Sequence, residues 1–115
     1  MTVKASLRNY RISARKARLV VDQIRGKGVE NALNILDQSD KAFAQPLAKL
    51  VRSAVANAEV QNDSKSAGID IDNLVVSQIC VDEGSSAWRI RPRAQGRATW
   101  IQKRTSHVSL QLAEK

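Results

Sequence analysis

Residues 84–113 contain no Asp or Glu, although six Lys and Arg residues lie within them. Four of these cations fall within nine positions, in the stretch RIRPRAQGR at 89–97. Like charges at this density repel one another, so the segment cannot join a compact core without an anionic partner. This acid-free segment limits the possible folds of the chain more than any other feature of its sequence.

Strand patterns lie on both sides of these cations. Residues 74–81, LVVSQICV, form an apolar and β-branched run that predicts a strand covered on both faces. Apolar and polar residues alternate at 107–112, which predicts a half-buried strand. If the two strands pair, roughly ten residues on each side project as a β-hairpin arm of about 30 Å. An isolated two-stranded ribbon is only marginally stable in water, so we expect an extended anionic partner to surround this arm.

The spacing of the arginines favours a phosphate backbone as that partner. Arg89, Arg91 and Arg93 lie two residues apart, so in an extended strand they point to one side at intervals of about 7 Å. The planar guanidinium group binds phosphate bidentately, whereas Lys acts as a point charge. Pro92 and Gly96 mark the bend of the hairpin.

Two aromatic residues flank the arginines. A turn centred near Ala94 and Gln95 would place Trp88 and Trp100 close to opposite each other. The two indoles either pack on each other across the strands or stack on exposed nucleobases, and the sequence leaves both interpretations open.

The net charge of +8 is distributed unevenly along the chain. Residues 1–28 carry eight Lys or Arg and one Asp, residues 29–83 carry four bases and nine acids, and residues 84–115 carry seven bases and one Glu. A surface adapted for solubility alone mixes its charges. Two basic ends around an acidic middle therefore indicate a large anionic partner for the ends.

The first quarter of the chain follows a strand pattern and then a helix pattern. Alternation predicts a strand at 2–8, and helical periodicity predicts a helix at 14–25 that Ser13 caps and Gly26 ends. Lys16 lies at the margin of the apolar stripe of this helix. The arginines on the side away from the stripe are Arg11, Arg15 and Arg18.

Two more helices are predicted before the polar segment that precedes the arm strands. Gly28 begins a second, shorter helix, and a third, longer helix follows Asp40. Pro46 either kinks the third helix or marks the start of its regular part. Polar residues and a glycine at 61–72 predict a loop. The apolar stripe of the third helix contains Leu47, Leu50, Val51, Ala54, Val55 and Ala58.

The sequence predicts no catalytic site, no metal site and no cofactor. Cys80 and His107 are the only Cys and His, which are too few ligands for a zinc site, and Cys80 is interpreted as a small core residue. His107 is predicted to form hydrogen bonds or contact phosphate, because no acid precedes it nearby. No apolar run approaches the roughly 20 residues that cross a bilayer. We therefore expect a cytosolic protein with an unprocessed N-terminus and no membrane partner.

Four blocks of the sequence resemble a known family. They are RISARKARLVVDQIRGK at 11–27, LVRSAVANAE at 50–59, VDEG at 81–84, and PRAQGRA with KRTSH between 92 and 107. With these blocks in order, and nearly from end to end, the chain resembles bacterial-type large-subunit ribosomal protein twenty-two.

The resemblance implies an α+β fold, in which three helices pack on a small three-stranded antiparallel sheet and a long β-hairpin arm extends from it. It implies a single domain, residues 1–115, with a globular part at about 1–83 and 105–115 and an arm at about 84–104. It also implies a cytoplasmic, monomeric component of the large ribosomal subunit that binds ribosomal RNA and neighbouring ribosomal proteins and supports early assembly. The arm would run inward through the RNA, and its tip would line the exit tunnel and contact the nascent peptide.

The resemblance further implies which residues form the sites. Trp88 and Trp100 stand where basic residues are common in the family, which favours stacking contacts at these two positions. The residues expected to bind ribosomal RNA are Arg11, Arg15, Lys16, Arg18, Arg25, Lys27, Trp88, Arg89, Arg91, Arg93, Arg97, Trp100, Lys103, Arg104 and His107. The residues expected at the tunnel-lining tip are Arg89, Ile90, Arg91, Pro92, Arg93, Ala94, Gln95, Gly96 and Arg97.

Two other functions are compatible with the residues. A free-standing architectural nucleic-acid binder with a β-ribbon arm has nearly the same charge pattern, and only the family resemblance separates it from a ribosomal protein. A small RNA-cleaving enzyme would use His107, and its RNA turnover would disappear in the variant His107→Ala.

Overall fold

A computed structural model describes residues 2–65 and 68–114 of the chain. These residues form three α-helices, five β-strands and two short 3-10 helices, and the α+β architecture agrees with the expectation. In chain order the helices and strands are β1 (Thr2–Tyr10), α1 (Ala14–Ile24), α2 (Val29–Gln38), α3 (Ala44–Lys65), β2 (Leu74–Glu83), β3 (Ala87–Pro92), β4 (Ala98–Lys103) and β5 (Ser106–Glu114). The 3-10 helices are Ile71–Asn73 and Ala94–Gly96.

The central sheet has the strand order β1-β5-β2, and both neighbouring pairs are antiparallel. The central strand β5 buries Val108, Leu110 and Leu112 on one face. The apolar stripes of the three helices pack against this face and form a single core with it. Removal of this apolar surface from water is the main source of stability in such a layered arrangement.

The other face of the sheet is open, and this contradicts two expectations for β2. The strand is covered on one face instead of both, and Cys80 is exposed instead of lying in the core. A bulge between Val76 and Gln78 shifts the pairing by one residue, so that Ile79 is buried while its neighbour Cys80 faces solvent. The apolar run in the sequence therefore combines residues from both faces of a half-covered strand.

The capping residues set the ends of α1, as predicted. The Ser13 hydroxyl oxygen accepts a hydrogen bond from the amide of Lys16 at 3.4 Å. Gly26 ends the helix with a φ of 77°, which few other residues adopt, and Gly28 is the N-cap of α2. The amide of Gly26 then donates to the carbonyl oxygen of Val76 at 3.1 Å. The connection between α1 and α2 thereby covers part of the outer edge of β2.

The predicted apolar stripe of α3 is confirmed. Five of its six residues are buried, and Val55 is half-buried. Pro46 lies in the first turn of the helix, where its missing N–H group needs no partner. It therefore marks the start of the helix, which is one of the two predicted alternatives. None of the described helices is long and apolar enough to span a membrane.

The end of α3 corrects the predicted loop at 61–72. The helix continues to Lys65, and a side chain in its last turn binds the backbone of a later residue. The Asn62 Nδ2 donates to the carbonyl oxygen of Ile69, and the Asn62 Oδ1 accepts from the amide of Ile69, both at 2.8 Å. Residues 66 and 67 of the predicted loop lie outside the described residues.

Residues 84–104 are called the arm, and the other described residues the body. Strands β3 and β4 pair antiparallel over all their residues, and Gln95 and Gly96 form the turn with φ values of 64° and 68°. The radius of gyration of the chain is 17.5 Å, whereas a compact domain of this length has about 13 Å. The longest dimension is 64 Å. The arm therefore projects from the body as the predicted long hairpin.

Candidate nucleic-acid interface

The pairing register gives the arm two chemically different faces. The residues on the basic face are Arg89, Arg91 and Lys103. The residues on the opposite, apolar face are Trp88, Ile90 and Trp100. These three apolar side chains are 56%, 57% and 62% exposed, respectively. A two-stranded ribbon has no second layer to cover either face, so both faces are open to a partner.

The cations of the arm have no acidic neighbours within it. At its tip, Arg93 and Arg97 flank the turn, and the amide of Arg93 donates to the carbonyl oxygen of Arg97 at 2.6 Å. The two ion pairs among the described residues both lie in the body, at Arg25–Asp22 and Arg52–Asp37. The positive charge of the arm is therefore left for a partner to neutralise.

The two tryptophans do not face each other directly. Trp88 pairs with Gln102, and Trp100 pairs with Ile90, so the indoles are offset diagonally across the ribbon. Within the described residues the one aromatic ring pair is Tyr10 with Phe43, in the body. The turn is centred on Gln95, half a residue later than predicted, and this change increases the offset between the two tryptophans to two residues.

Two of the arginines expected to bind RNA, Arg18 on α1 and Arg25 directly after it, also contact the sheet. Arg18 Nη2 donates to the carbonyl oxygen of Val81 at 2.9 Å, and Arg25 Nη2 donates to that of Ile79 at 2.9 Å. These bonds occupy carbonyl groups on the outer edge of β2, which has no neighbouring strand there. Sequence reasoning missed this role, because the partners lie 63 and 54 residues away. The other cations expected on this part of the interface are exposed, at Arg11, Arg15, Lys16 and Lys27.

Hydrogen bonds fix the arm at the point where it leaves the body. The amide of Gly84 donates to the carbonyl oxygen of Thr105 at 2.9 Å, and the Thr105 hydroxyl donates to the carbonyl oxygen of Ser85. A Cβ atom at position 84 would lie 2.6 Å from Thr105 Oγ1 and 3.0 Å from His107 Nε2. Gly84 therefore permits the close approach of the two strands. Its position three residues after the predicted strand at 74–81 was the available signal for this role.

The residues that follow the arm attach it to the first part of the chain. Ser106 is completely buried, and its Oγ donates to the carbonyl oxygen of Ile12 at 2.6 Å. The ring of His107 is half-buried, and its Nδ1 accepts from the amide of Asn9 at 3.0 Å. Ser106 and His107 thus each use a polar atom within the body, and they do not form a nucleophile–base pair.

A cleft of about 380 Å³ lies between the start of α1 and the end of β4. It brings together four cations predicted for the interface from two segments far apart in the sequence. Its lining residues are Arg11, Ile12, Ser13, Lys16, Gln102, Lys103 and Arg104. The described residues contain no group of three or more His, Cys, Asp or Glu side chains that could hold a metal ion.

The arrangement of a compact body, a basic helix and a projecting basic ribbon agrees with one family of known proteins. The family model of ribosomal protein L22p/L17e matches residues 5–113, which include the whole arm and nearly all of the body. The expected resemblance is thereby confirmed. The chain belongs to the ribosomal protein L22p/L17e family, and it is a structural, RNA-binding protein of the large ribosomal subunit.

Proposed function

We propose that the arm extends into the ribosomal RNA of the large subunit, and that its tip lines the tunnel through which the nascent peptide leaves. The observation that carries this proposal is the arm itself, a projecting ribbon with six cations and no acid. Such a ribbon gains stability from a partner that surrounds it and neutralises it. Folded RNA is a partner of this kind, because it offers phosphates on several sides.

The basic face of the arm and the exposed cations of α1 bind phosphates in this proposal. Each phosphate contact releases condensed counterions from the RNA, which favours binding at low salt. The arginines of the arm also suit bidentate contacts with phosphate oxygens. The proposed RNA-binding set is the one expected from the sequence, with Arg18 and Arg25 sharing their guanidinium groups between RNA and the sheet.

The apolar face of the arm stacks on nucleobases. Trp88 and Trp100 are offset from each other and more than half exposed, so each indole offers a flat surface to an unpaired base. Stacking of this kind contributes roughly 1–3 kcal/mol per base and tolerates any sequence. The arm therefore uses both faces of one ribbon, one for phosphates and the other for bases.

The mechanism is ordering of the arm together with the RNA. An arm that is stabilised by RNA from several sides also holds those RNA segments together, which supports early assembly of the subunit. The single domain then has two parts with separate tasks. The body, at about 1–83 and 105–115, docks on the particle as a monomer beside neighbouring ribosomal proteins. The arm, at about 84–104, reaches the tunnel wall and the nascent peptide in cytoplasmic ribosomes.

Sedimentation at high salt tests the position of the arm. A cell lysate is centrifuged through a sucrose cushion, and the pellet is probed for this protein. A protein threaded through RNA should pellet with the large subunit at about one copy per particle. A free binder with six phosphate contacts should lose roughly a thousandfold in affinity between 50 and 200 mM salt. Its appearance in the supernatant would favour the architectural nucleic-acid binder instead.

Photo-crosslinking tests the position of the tip. A photoreactive residue replaces Gln95 in the turn, and a matched variant carries it at Lys49, which is exposed on α3. Ribosomes stalled with a labelled nascent peptide are then irradiated. We expect a crosslink to the peptide from position 95 and none from position 49. A tip that crosslinks to RNA alone would place the arm in the particle but away from the tunnel wall.

A further inference from the structure

We propose that the cleft between the start of α1 and the end of β4 binds one backbone phosphate of RNA and ties the arm to the body through it. This inference rests on the proposed function, because it requires that the arm binds RNA. It adds a site at the base of the arm, far from the tip, with one ligand class, a phosphodiester. The cations that line the cleft are Arg11, Lys16, Lys103 and Arg104.

Bonds within the body bring the two sides of this cleft together. The buried Ser106 hydroxyl holds the carbonyl oxygen of Ile12, directly beside Arg11. The amide of Asn9 donates to His107 Nδ1, so a second bond joins the same two segments. Asn9 has a φ of 57° in an irregularity of β1, which redirects the chain toward the start of α1. The convergence of the cations is therefore built into the fold.

The electrostatics of the cleft favour an anion. Its lining contains four cations and no acid, and the neutral residues include Ser13 and Gln102, which carry hydrogen-bond donors. Among the described residues, neither of the two ion pairs involves a lining residue. Cations gathered in one cleft repel each other, and an anion between them turns this repulsion into attraction. The guanidinium and ammonium groups that line the cleft carry the charge that a phosphodiester needs, and they can donate hydrogen bonds to its oxygens.

A phosphate in the cleft would contact both parts of the molecule at once. Arg11 and Lys16 belong to the body, whereas Lys103 and Arg104 are the last residues of the arm. The bound phosphate would thus connect the body and the arm. It would fix the direction of the arm more firmly than the strand connections alone. The contact couples binding at α1 to binding along the arm, because each contact helps to place the other.

A double-mutant cycle tests this bridge with the full-length chain and deproteinised large-subunit ribosomal RNA as the probe. The variants Arg11→Gln and Arg104→Gln should each weaken binding about tenfold, the size of one charged hydrogen-bonded contact. The double variant should lose only about twentyfold to thirtyfold, because both residues hold the same phosphate. The matched control cycle pairs Arg11→Gln with Arg97→Gln at the tip, and its losses should multiply to about a hundredfold.

The outcomes separate this inference from the proposed function. If the losses of Arg11→Gln and Arg104→Gln multiply fully, as in the control, the bridge is wrong while RNA binding by the arm stands. If the unmodified protein does not bind the RNA in preference to unrelated RNA, the proposed function itself fails. Thermal unfolding of each variant checks the fold. A second cycle with Lys16→Gln and Lys103→Gln across the same cleft replaces the first if either arginine variant fails to fold.

Discussion

Apolar side chains have opposite surroundings in the body and in the arm. Leu110 and Leu112, in the central strand of the body, are at most 2% exposed and pack against the helices. Trp88, Ile90 and Trp100 in the arm are all more than half exposed. Burial stabilises the body without a partner, whereas the arm leaves its apolar surface and its charge for a partner to cover. The body can therefore fold by itself, whereas RNA orders the arm in the function proposed above.

The hydrogen bonds of the side chains show the same contrast. In the body, the Ser106 hydroxyl reaches a carbonyl group 94 residues away, and Arg18 reaches one 63 residues away. In the arm, Arg89 Nη1 donates to the carbonyl oxygen of the adjacent residue, Trp88. A bond between distant segments forms only when both segments fold together, whereas a bond between neighbouring residues can form while the rest of the chain is unfolded. The two parts should therefore differ in hydrogen exchange, in RNA binding and in their response to mutation.

Hydrogen exchange in the free protein should show the largest difference. Amides at 47–58 in α3 should be protected by the global stability, whereas amides at 86–98 in the arm should exchange at least roughly a thousandfold faster. Mass spectrometry or NMR measures both sets in one sample. Addition of large-subunit ribosomal RNA should slow exchange in the arm. Strong protection of the arm without RNA would contradict the comparison.

Neutralising the arginines of the arm should weaken RNA binding strongly and leave the body intact. The variant that changes Arg89, Arg91, Arg93 and Arg97 to Gln removes four phosphate contacts, which lowers the salt dependence of log K by about 3. At physiological salt the counterion term alone is a loss of roughly two to three orders of magnitude in affinity, and the lost charged hydrogen bonds add to it. Filter binding at several salt concentrations measures it.

A control for this variant removes the same charge from the body. The matched set changes Lys4, Arg8, Lys41 and Lys49 to Gln, all of which are exposed and outside the proposed RNA-binding set. Its affinity should fall far less, and both variants should keep the thermal midpoint of the unmodified protein. Equal losses from the two sets would mean that net charge, and not the arm, determines binding.

The same change in the core and in the arm should have very different costs. Leu110→Ala removes a buried side chain from the central strand and should cost about 2–5 kcal/mol of unfolding free energy. Ile90→Ala removes an exposed one and should stay within about 0.5 kcal/mol. Chemical denaturation followed by circular dichroism measures both. A comparable cost at both positions would show that the arm is part of the cooperative fold.

The elements that depend on local pattern could be predicted from the sequence. The cap at Ser13, the stop at Gly26 and the apolar stripe of α3 each follow from neighbouring residues, and all three occur in the structure. The position of the hairpin turn was predicted to within half a residue, because the acid-free segment and its Pro and Gly limit where the chain can reverse. The acid-free charge pattern also indicates the arm.

The elements that depend on distant residues could not be predicted. Cys80 is exposed because a bulge in β2 and an uncovered sheet face combine, and neither has a local signal. The extension of α3 depends on Asn62 reaching Ile69. The attachment of Arg18 to the edge of β2 requires the position of a strand far along the chain. The basic residues of the candidate site could therefore be predicted from the composition of the sequence. The contacts that connect this site to the body could not.

The junction between the two parts should be sensitive to a single methyl group. In Gly84→Ala the new Cβ would lie 2.6 Å from Thr105 Oγ1, so the strands must separate or the threonine must rotate. Overpacking of this kind costs about 1–3 kcal/mol. Denaturation of Gly84→Ala, Thr105→Ala and the double variant measures it. The double variant should lose less than the sum of the two singles, because the second change removes the clashing oxygen, and an additive result would count against the clash.

The smallest expected effect is the difference in stability between two variants of α1. One variant changes an arginine that is proposed to bind only RNA, and the other changes an arginine that also bonds to the body. Arg18→Met keeps the length of the side chain but removes the bond to the carbonyl oxygen of Val81, which should cost about 1 kcal/mol at this exposed position. Arg15→Met, one turn earlier on α1, is the matched control, because the structure records no side-chain hydrogen bond for Arg15 within the described residues. Both variants should weaken RNA binding to a similar extent, but only Arg18→Met should lower the denaturation midpoint. If the two variants are equally stable, Arg18 does not stabilise the edge of β2, and its only role is to bind RNA.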